Sequence, residues 1–381
     1  MPPCTCPGRS HRGRAWAELL RLPALFSVPG DALAGTAATG ASPNSRTLLA
    51  IASSLCLYEA GMALNDWADR DVDAVERPHR PLPSGRIRPA AALTAACALT
   101  GAGLALAARA GRPALAVAAP LAATVWAYDL GLKHTPAGPV AMGTARGLDL
   151  LLGAAATSGS TRPALPSAAL LGTHTLAVTT VSRQEAQGGS PVPPLAALAT
   201  TALLARLVTR RSFGGPTRGR RPATGYRSAT GHRPVSGNRS ATGHRPVGGN
   251  RSASGHRPVG GNRSASRHRP VGGKGSASGQ RPVSGLRPAG LRVGRLPARD
   301  SGALLTTALG AAYAATTARP YFHATLNPSP PLTQRAVGAG IRATIPLQAA
   351  LSARSRGGAT ALLIAALAPL GARFAKKVSV T

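Results

Sequence analysis

From Ala90 to Ala108 the chain runs for nineteen residues without a charged side chain. A soluble helix keeps a polar stripe on its solvent face, and a membrane-spanning helix needs about 20 mostly apolar residues. The segment satisfies the second condition and fails the first. Comparable apolar stretches recur at 15–38, 47–64, 89–109, 112–130, 139–157, 166–182, 193–208 and 301–318, and 335–376 holds one or two more. The expected fold is therefore all-α: a polytopic membrane bundle of about nine helices around a central cavity. The run beginning at 15 follows basic residues but is interrupted by Glu18, Arg21 and Asp31, so it reads as a retained first helix and not a cleaved leader.

The mean hydropathy of +0.02 conceals two unlike populations. Residues 209–300 are rich in Arg, Gly, Ser and Pro, and the rest is rich in Ala and Leu. Within 219–290 a twelve-residue unit close to Gly-His-Arg-Pro-Val-Gly-Gly-Asn-Arg-Ser-Ala-Ser repeats, with 14 Lys and Arg and no acidic residue, against a net charge of +33 for the whole chain. The unit is shorter than solenoid repeats and has nothing with which to build a core, so 209–300 is expected to be a disordered basic insertion between 15–208 and 301–376. Residues 1–14 and 377–381 are polar tails. Arg70, Arg77, Arg80, Arg86 and Arg88 crowd one inter-span break, whereas the opposite breaks carry Arg46, Arg112 and Arg162. The positive-inside rule then places that break and the N-terminus in the cytoplasm of a cell-membrane protein.

Acidic residues are scarce, 12 in all, yet Asp66, Asp69, Asp71, Asp73 and Glu76 fall within eleven positions directly after an apolar span. Carboxylates packed so closely repel unless cations sit among them. On a helix the i, i+3, i+7 spacing brings Asp66, Asp69 and Asp73 to one face and turns Asp71 away. Oxygen-only ligands of this kind suit Mg²⁺. A calcium-loop reading from Asp69 fails, because its sixth position is Ala74 and its twelfth is Arg80. Arg77 and Arg80 follow at once, supplying the cations that a diphosphate needs beside a metal.

The run Asn65-Asp66-Trp67-Ala68-Asp69-Arg70-Asp71-Val72-Asp73, then Glu76-Arg77-Pro78-x-Arg80-Pro81-Leu82-Pro83-Ser84-Gly85, resembles the UbiA superfamily of intramembrane prenyltransferases. Tyr128-Asp129-Leu130-Gly131-Leu132-Lys133 is similar to that family's Tyr-x-x-x-x-Lys segment. The resemblance covers 15–208 and 301–376. It implies transfer of an isoprenyl group from an allylic diphosphate donor to an acceptor, after Mg²⁺-assisted ionisation. By position, Asn65, Asp66, Asp69 and Asp73 would hold Mg²⁺, Arg77, Arg80 and Lys133 would contact the diphosphate, and Tyr128 would face the allyl cation. The family's second Asp-x-x-x-Asp is replaced here by a segment holding Arg183 and Glu185. Glu185 is left as the one second-metal ligand and Arg183 as a substrate contact, as in a divergent, actinobacterial-type branch.

Inside the spans, Arg146 and Asp149 at i and i+3 are expected to pair with each other or to line the cavity, with Arg146 a further substrate contact. Glu59 and His174 are weaker candidates, and Asp31 after Pro29-Gly30 reads as the cap of a helix kink. The acceptor is not specified by any motif. Membrane lipids are the surrounding partners. Specific nucleic-acid binding is not expected, since the repeat holds one aromatic, Tyr226, for base stacking. Two other readings compete with the enzyme. One is a non-catalytic lipid-binding or transport relative, suggested by the weakened second motif. The other is a binder of envelope polymer or nucleic acid through the repeat.

Overall fold

The computed structural model describes residues 9–20, 26–185, 189–210, 298–355 and 357–379. Among these there are helices and no strand: α1 Arg9–Leu19, α2 Val28–Ala38, α3 Ser45–Ala68, α4 Arg70–Glu76, α5 Pro89–Ala110, α6 Arg112–Leu130, α7 Gly138–Ser158, α8 Leu165–Ser182, α9 Val192–Arg210, α10 Ala298–Leu326, α11 Pro330–Arg354 and α12 Gly358–Ser379. The described residues belong to one body formed by Met1–Thr217 and Arg295–Thr381. The repeat at 219–290 lies outside them.

Local chemistry sets the helix starts. α2, α5, α6, α7, α8 and α11 each carry proline in the first turn, where a missing N–H costs nothing. α3 begins with a capping box between Asn44 and Thr47. Gly159, left-handed at φ 75°, closes α7.

Among the described residues five helices are long and apolar enough to cross a membrane, including Ser45–Ala68, Pro89–Ala110 and Val192–Arg210. α7 and α11 carry more polar residues, and most of their buried surface faces other helices. The single span expected at 15–38 is instead two elements, α1 and the short α2. Pro29 sits in the first turn of α2, where it starts a helix more readily than it continues one. The stretch 335–376 forms two helices, α11 and α12.

With no hydrophobic drive between helices in lipid, close packing through small residues carries association. α2 lies directly on α7: a Cβ on Gly35 would run into the Leu150 carbonyl, and one on Gly153 into the backbone of Ala32. Gly143 of α7 and Gly172 of α8 approach so closely that a Cβ on either would stand 2.7 Å from the other's carbonyl oxygen. The Thr157 hydroxyl then joins Thr36 of α2 at 2.9 Å and Thr47 of α3 at 2.7 Å. Buried His174 of α8 bridges the Tyr313 hydroxyl of α10 and the Gly340 carbonyl of α11, both at 3.0 Å. α9 meets α10 through Thr201 and Thr317.

Gly153→Leu is expected to destabilise the bundle by about 3 kcal/mol or more, the upper range of overpacking. Gly101→Ala in α5, where a Cβ meets nothing within 4 Å, should be neutral or gain up to about 1 kcal/mol. Unfolding of the two variants in detergent micelles checks the contrast.

Candidate active site

The end of α3, the short α4 and the turn Leu132–His134 bring the acidic motif and its cations together. Asp69 interrupts the helix between α3 and α4, yet its N–H still reaches the Asn65 carbonyl at 2.9 Å, and its own carbonyl accepts from the Asp73 N–H at 2.8 Å. Helical phase therefore survives the break. Asp66 and Asp73 are buried, and Asp71 is turned outward with its side chain 83% exposed.

The loop after α4 is held as firmly as the helices. Leu82 and Ile87 are buried against Ala15 and Leu19 of α1 and Ala63 and Leu64 of α3. Arg86 grips Glu18 of α1 through two N–H groups at 2.7 and 3.1 Å and donates to the His79 carbonyl at 2.6 Å. Gly85, at φ +72°, makes the turn. This anchoring fixes Arg80, whose guanidinium stands 2.6 Å from Asp73 and 3.5 Å from Asp66, while Arg77 reaches Asp73 at 3.4 Å. From the other side Lys133, its side chain 8% exposed, contacts Asp69 at 2.6 Å, and Asn65 donates to Asp69 at 3.2 Å.

Below this mouth a cavity of about 280 Å³ runs between α3, α6 and α7. Asn65, Tyr128 and Asp129 line its outer end, and Leu57, Gly61, Met62, Leu121, Val125, Met142 and Ala145 form its middle. Tyr128 lies within electrostatic reach of Asp69 and Arg183. The inner end is polar again, lined by Ser54, Arg146 and Asp149.

The structure gathers most of the residues picked from sequence. Asn65, Asp66, Asp69, Asp73, Arg77, Arg80 and Lys133 form one cluster, and Tyr128 lies beside it. Arg183 donates to the Thr135 carbonyl, bracing the turn that carries Lys133. Glu185 is half-buried within electrostatic reach of Arg77. Burial pushes its carboxyl above the usual range, and Arg77 pulls partly against this.

The structure decides between the readings left open for Arg146 and corrects the one for Asp31. Arg146 and Asp149 both line the cavity, at the end opposite the acidic motif, and Arg146 pairs with Asp31 at 3.1 Å. Asp31 caps no kink: it is fully buried and accepts from Gln348 at 2.7 Å. Among the described residues no three carboxylate, imidazole or thiol groups converge on one point, and Arg80 and Lys133 rest on the carboxylates of the acidic motif. Glu59 is buried with both oxygens unpartnered and lies outside the cavity lining. His174 braces helices. Sequence reasoning gave no role to Asp129, Gln348 or Ser54. Asp129 sits inside the Tyr-Asp-Leu-Gly segment, so its neighbourhood to Tyr128 was the one available signal.

Residues 25–209 match the model of the UbiA prenyltransferase family. The digeranylgeranylglyceryl phosphate synthase of Methanothrix thermoacetophila is 35% identical over 200 residues, 51% of this chain and 72% of that enzyme. The synthase of the same name from Methanopyrus kandleri is 36% identical over 128 residues, 32% of this chain and 45% of that enzyme. A solved structure of a digeranylgeranylglyceryl phosphate synthase superposes with a TM-score of 0.52 at 14% identity, over 90% of this chain and 98% of that one, and shares the fold.

Arg80→Met removes the cation 2.6 Å from buried Asp73 and 3.5 Å from buried Asp66, leaving Arg77 on Asp73 at 3.4 Å, and a broken buried pair costs about 3–5 kcal/mol. The variant should lose roughly that much stability. Adding Asp66→Asn and Asp73→Asn to it should recover most of the loss, measured by unfolding in micelles.

Proposed function

The chain belongs to the UbiA prenyltransferase family, and from that premise we propose that the mouth cluster binds the diphosphate of an allylic isoprenoid and the cavity below it holds the reacting carbons. The observation that carries this reading is the matched set of charges at the mouth. Asp66, Asp69 and Asp73 face Arg77, Arg80 and Lys133 at the wet end of an apolar slot.

The donors in the cluster fit Mg²⁺. They are oxygen-only, from one amide and three carboxylates, and two of the carboxylates are buried. Asn65, Asp66, Asp69 and Asp73 would hold the ion, and when bound it supplies positive charge to the departing diphosphate. Arg80 and Lys133 now rest on the same carboxylates, and both side chains would turn from them to the phosphate oxygens of a bound donor. The protein then works through its own groups. Arg77, Arg80 and Lys133 share the charge that develops as the carbon–oxygen bond breaks and its electron pair leaves with the diphosphate. Tyr128 presents a ring face near the allyl cation. Leu57, Met62, Val125 and Met142 keep water from trapping that cation. The acceptor forms the new bond to the cationic carbon and releases a proton.

The acceptor arrives from the membrane phase, a reading supported by relatives named for lipid and chlorophyll synthesis. Segment 209–300 is read as an insertion into the catalytic bundle. The mouth is read as cytoplasmic, on the strength of the Arg-rich break that follows α4.

Membranes carrying the chain are expected to convert labelled geranyl, farnesyl or geranylgeranyl diphosphate, given Mg²⁺ and a host lipid extract, into a new labelled lipid. EDTA should abolish the product, and Asp66→Ala should lower its rate by about 10²-fold or more, the scale of losing one preorganised charge contact. Full activity in the Asp66→Ala and Asp69→Ala double variant would refute the assignment.

A further inference from the structure

The cavity has two polar ends and an apolar middle, but an isoprenoid diphosphate has one polar end. The mouth and the middle match that donor. The inner end, formed by Ser54, Arg146 and Asp149, matches no part of it. Ionisable groups inside a membrane bundle are expensive, and those opening on a cavity mark a ligand site by default. Here four helices contribute. Arg146 of α7 pairs with Asp31 of α2 at 3.1 Å and donates to the Ser27 carbonyl at 3.4 Å. Gln348 of α11 donates to Asp31 and Ser27 at 2.7 and 2.8 Å. The Ser54 hydroxyl of α3 donates to Asp149.

The chemistry of this end narrows what it takes. Two carboxyl groups face one guanidinium, so its positive charge is compensated and none is left over for a carboxylate or phosphate. On the cavity wall Arg146 offers N–H donors and Asp149 offers lone pairs. An uncharged hydroxyl, which donates and accepts at once, satisfies both. Position separates this end from the bond-breaking step: Ser54 and Asn65 lie eleven residues apart on α3, about 16 Å along a helix.

We propose that Arg146, Asp149 and Ser54 form an anchoring subsite for the acceptor, which binds there through an uncharged hydroxyl distant from the atom that is alkylated. The acceptor class is therefore a molecule with its nucleophile at one end and a neutral hydroxyl at the other. This inference rests on the reading of the mouth as the diphosphate site, and the test keeps the two apart.

The full chain in phosphatidylcholine nanodiscs is titrated with tyrosol and with phenylacetate, an anion of similar size that carries no hydroxyl, and retention of labelled geranyl thiodiphosphate with Mg²⁺ is measured in parallel. Tyrosol should bind about tenfold more tightly than the acid, the worth of one hydrogen bond to a charged group. Asp149→Leu should weaken tyrosol by about tenfold with thiodiphosphate retention unchanged. The near-isosteric Asp31→Asn and Asp149→Asn double variant leaves Arg146 uncompensated and should reverse the preference toward the acid, which decides the matter if the leucine variant misfolds. Asp66→Ala should do the converse, losing thiodiphosphate and keeping tyrosol. Preference for the acid in the unaltered chain, or tyrosol binding indifferent to both variants at Asp149, overturns the subsite. Loss of thiodiphosphate retention throughout, with the tyrosol pattern intact, overturns the donor site and supports the subsite.

Discussion

The ion pairs of Arg80 with Asp73 and Asp66 hold the rest of the site in place. Two carboxylates are buried at the end of an apolar helix bundle, where an unpaired charge is costly. Arg80 compensates both at 2.6 and 3.5 Å. It can do so because its loop is locked down by buried Leu82 and Ile87 and by the Arg86–Glu18 contact. The charge pairing, the anchored loop and the open slot beneath them depend on one another. Lys133 repeats the arrangement on Asp69 from the far wall of the cavity.

This arrangement connects stability to function. On the proposed reading, the side chains that neutralise the acidic motif in the free protein are also those that neutralise a diphosphate when one arrives. A site that stores its cations on its own carboxylates avoids burying bare charge in either state. The same logic operates at the inner end, where Arg146 rests on Asp31 and leaves Asp149 and Ser54 facing the slot.

How much of this was legible in the sequence depended on how far apart the partners lie along the chain. Asp66, Asp69, Asp73, Arg77 and Arg80 fall within fifteen residues, and helical phase alone predicts their shared face and the outward turn of Asp71. Tyr128 and Lys133 came from a short segment whose spacing resembles the family's. Asp31 and Gln348 are separated by 317 positions, and no local pattern marks one as the partner of the other. A lone acidic residue after Pro-Gly reads as a cap until α11 is seen beside it. The split of the first expected span has a similar cause: average apolarity continues through 15–38, and proline at the start of α2 outweighs it. The apolar stretches at 139–157 and within 335–376 correspond to α7 and α11, although both helices carry more polar residues than their neighbours.

The most direct test of the central claim is an experimental structure of the chain with geranyl thiodiphosphate and Mg²⁺ bound. The account predicts that the thiodiphosphate lies at the mouth, that Arg80 has left Asp73 and Lys133 has left Asp69, and that both contact phosphate oxygens. A thiodiphosphate bound elsewhere, with the Arg80–Asp73 and Lys133–Asp69 pairs intact, would contradict it.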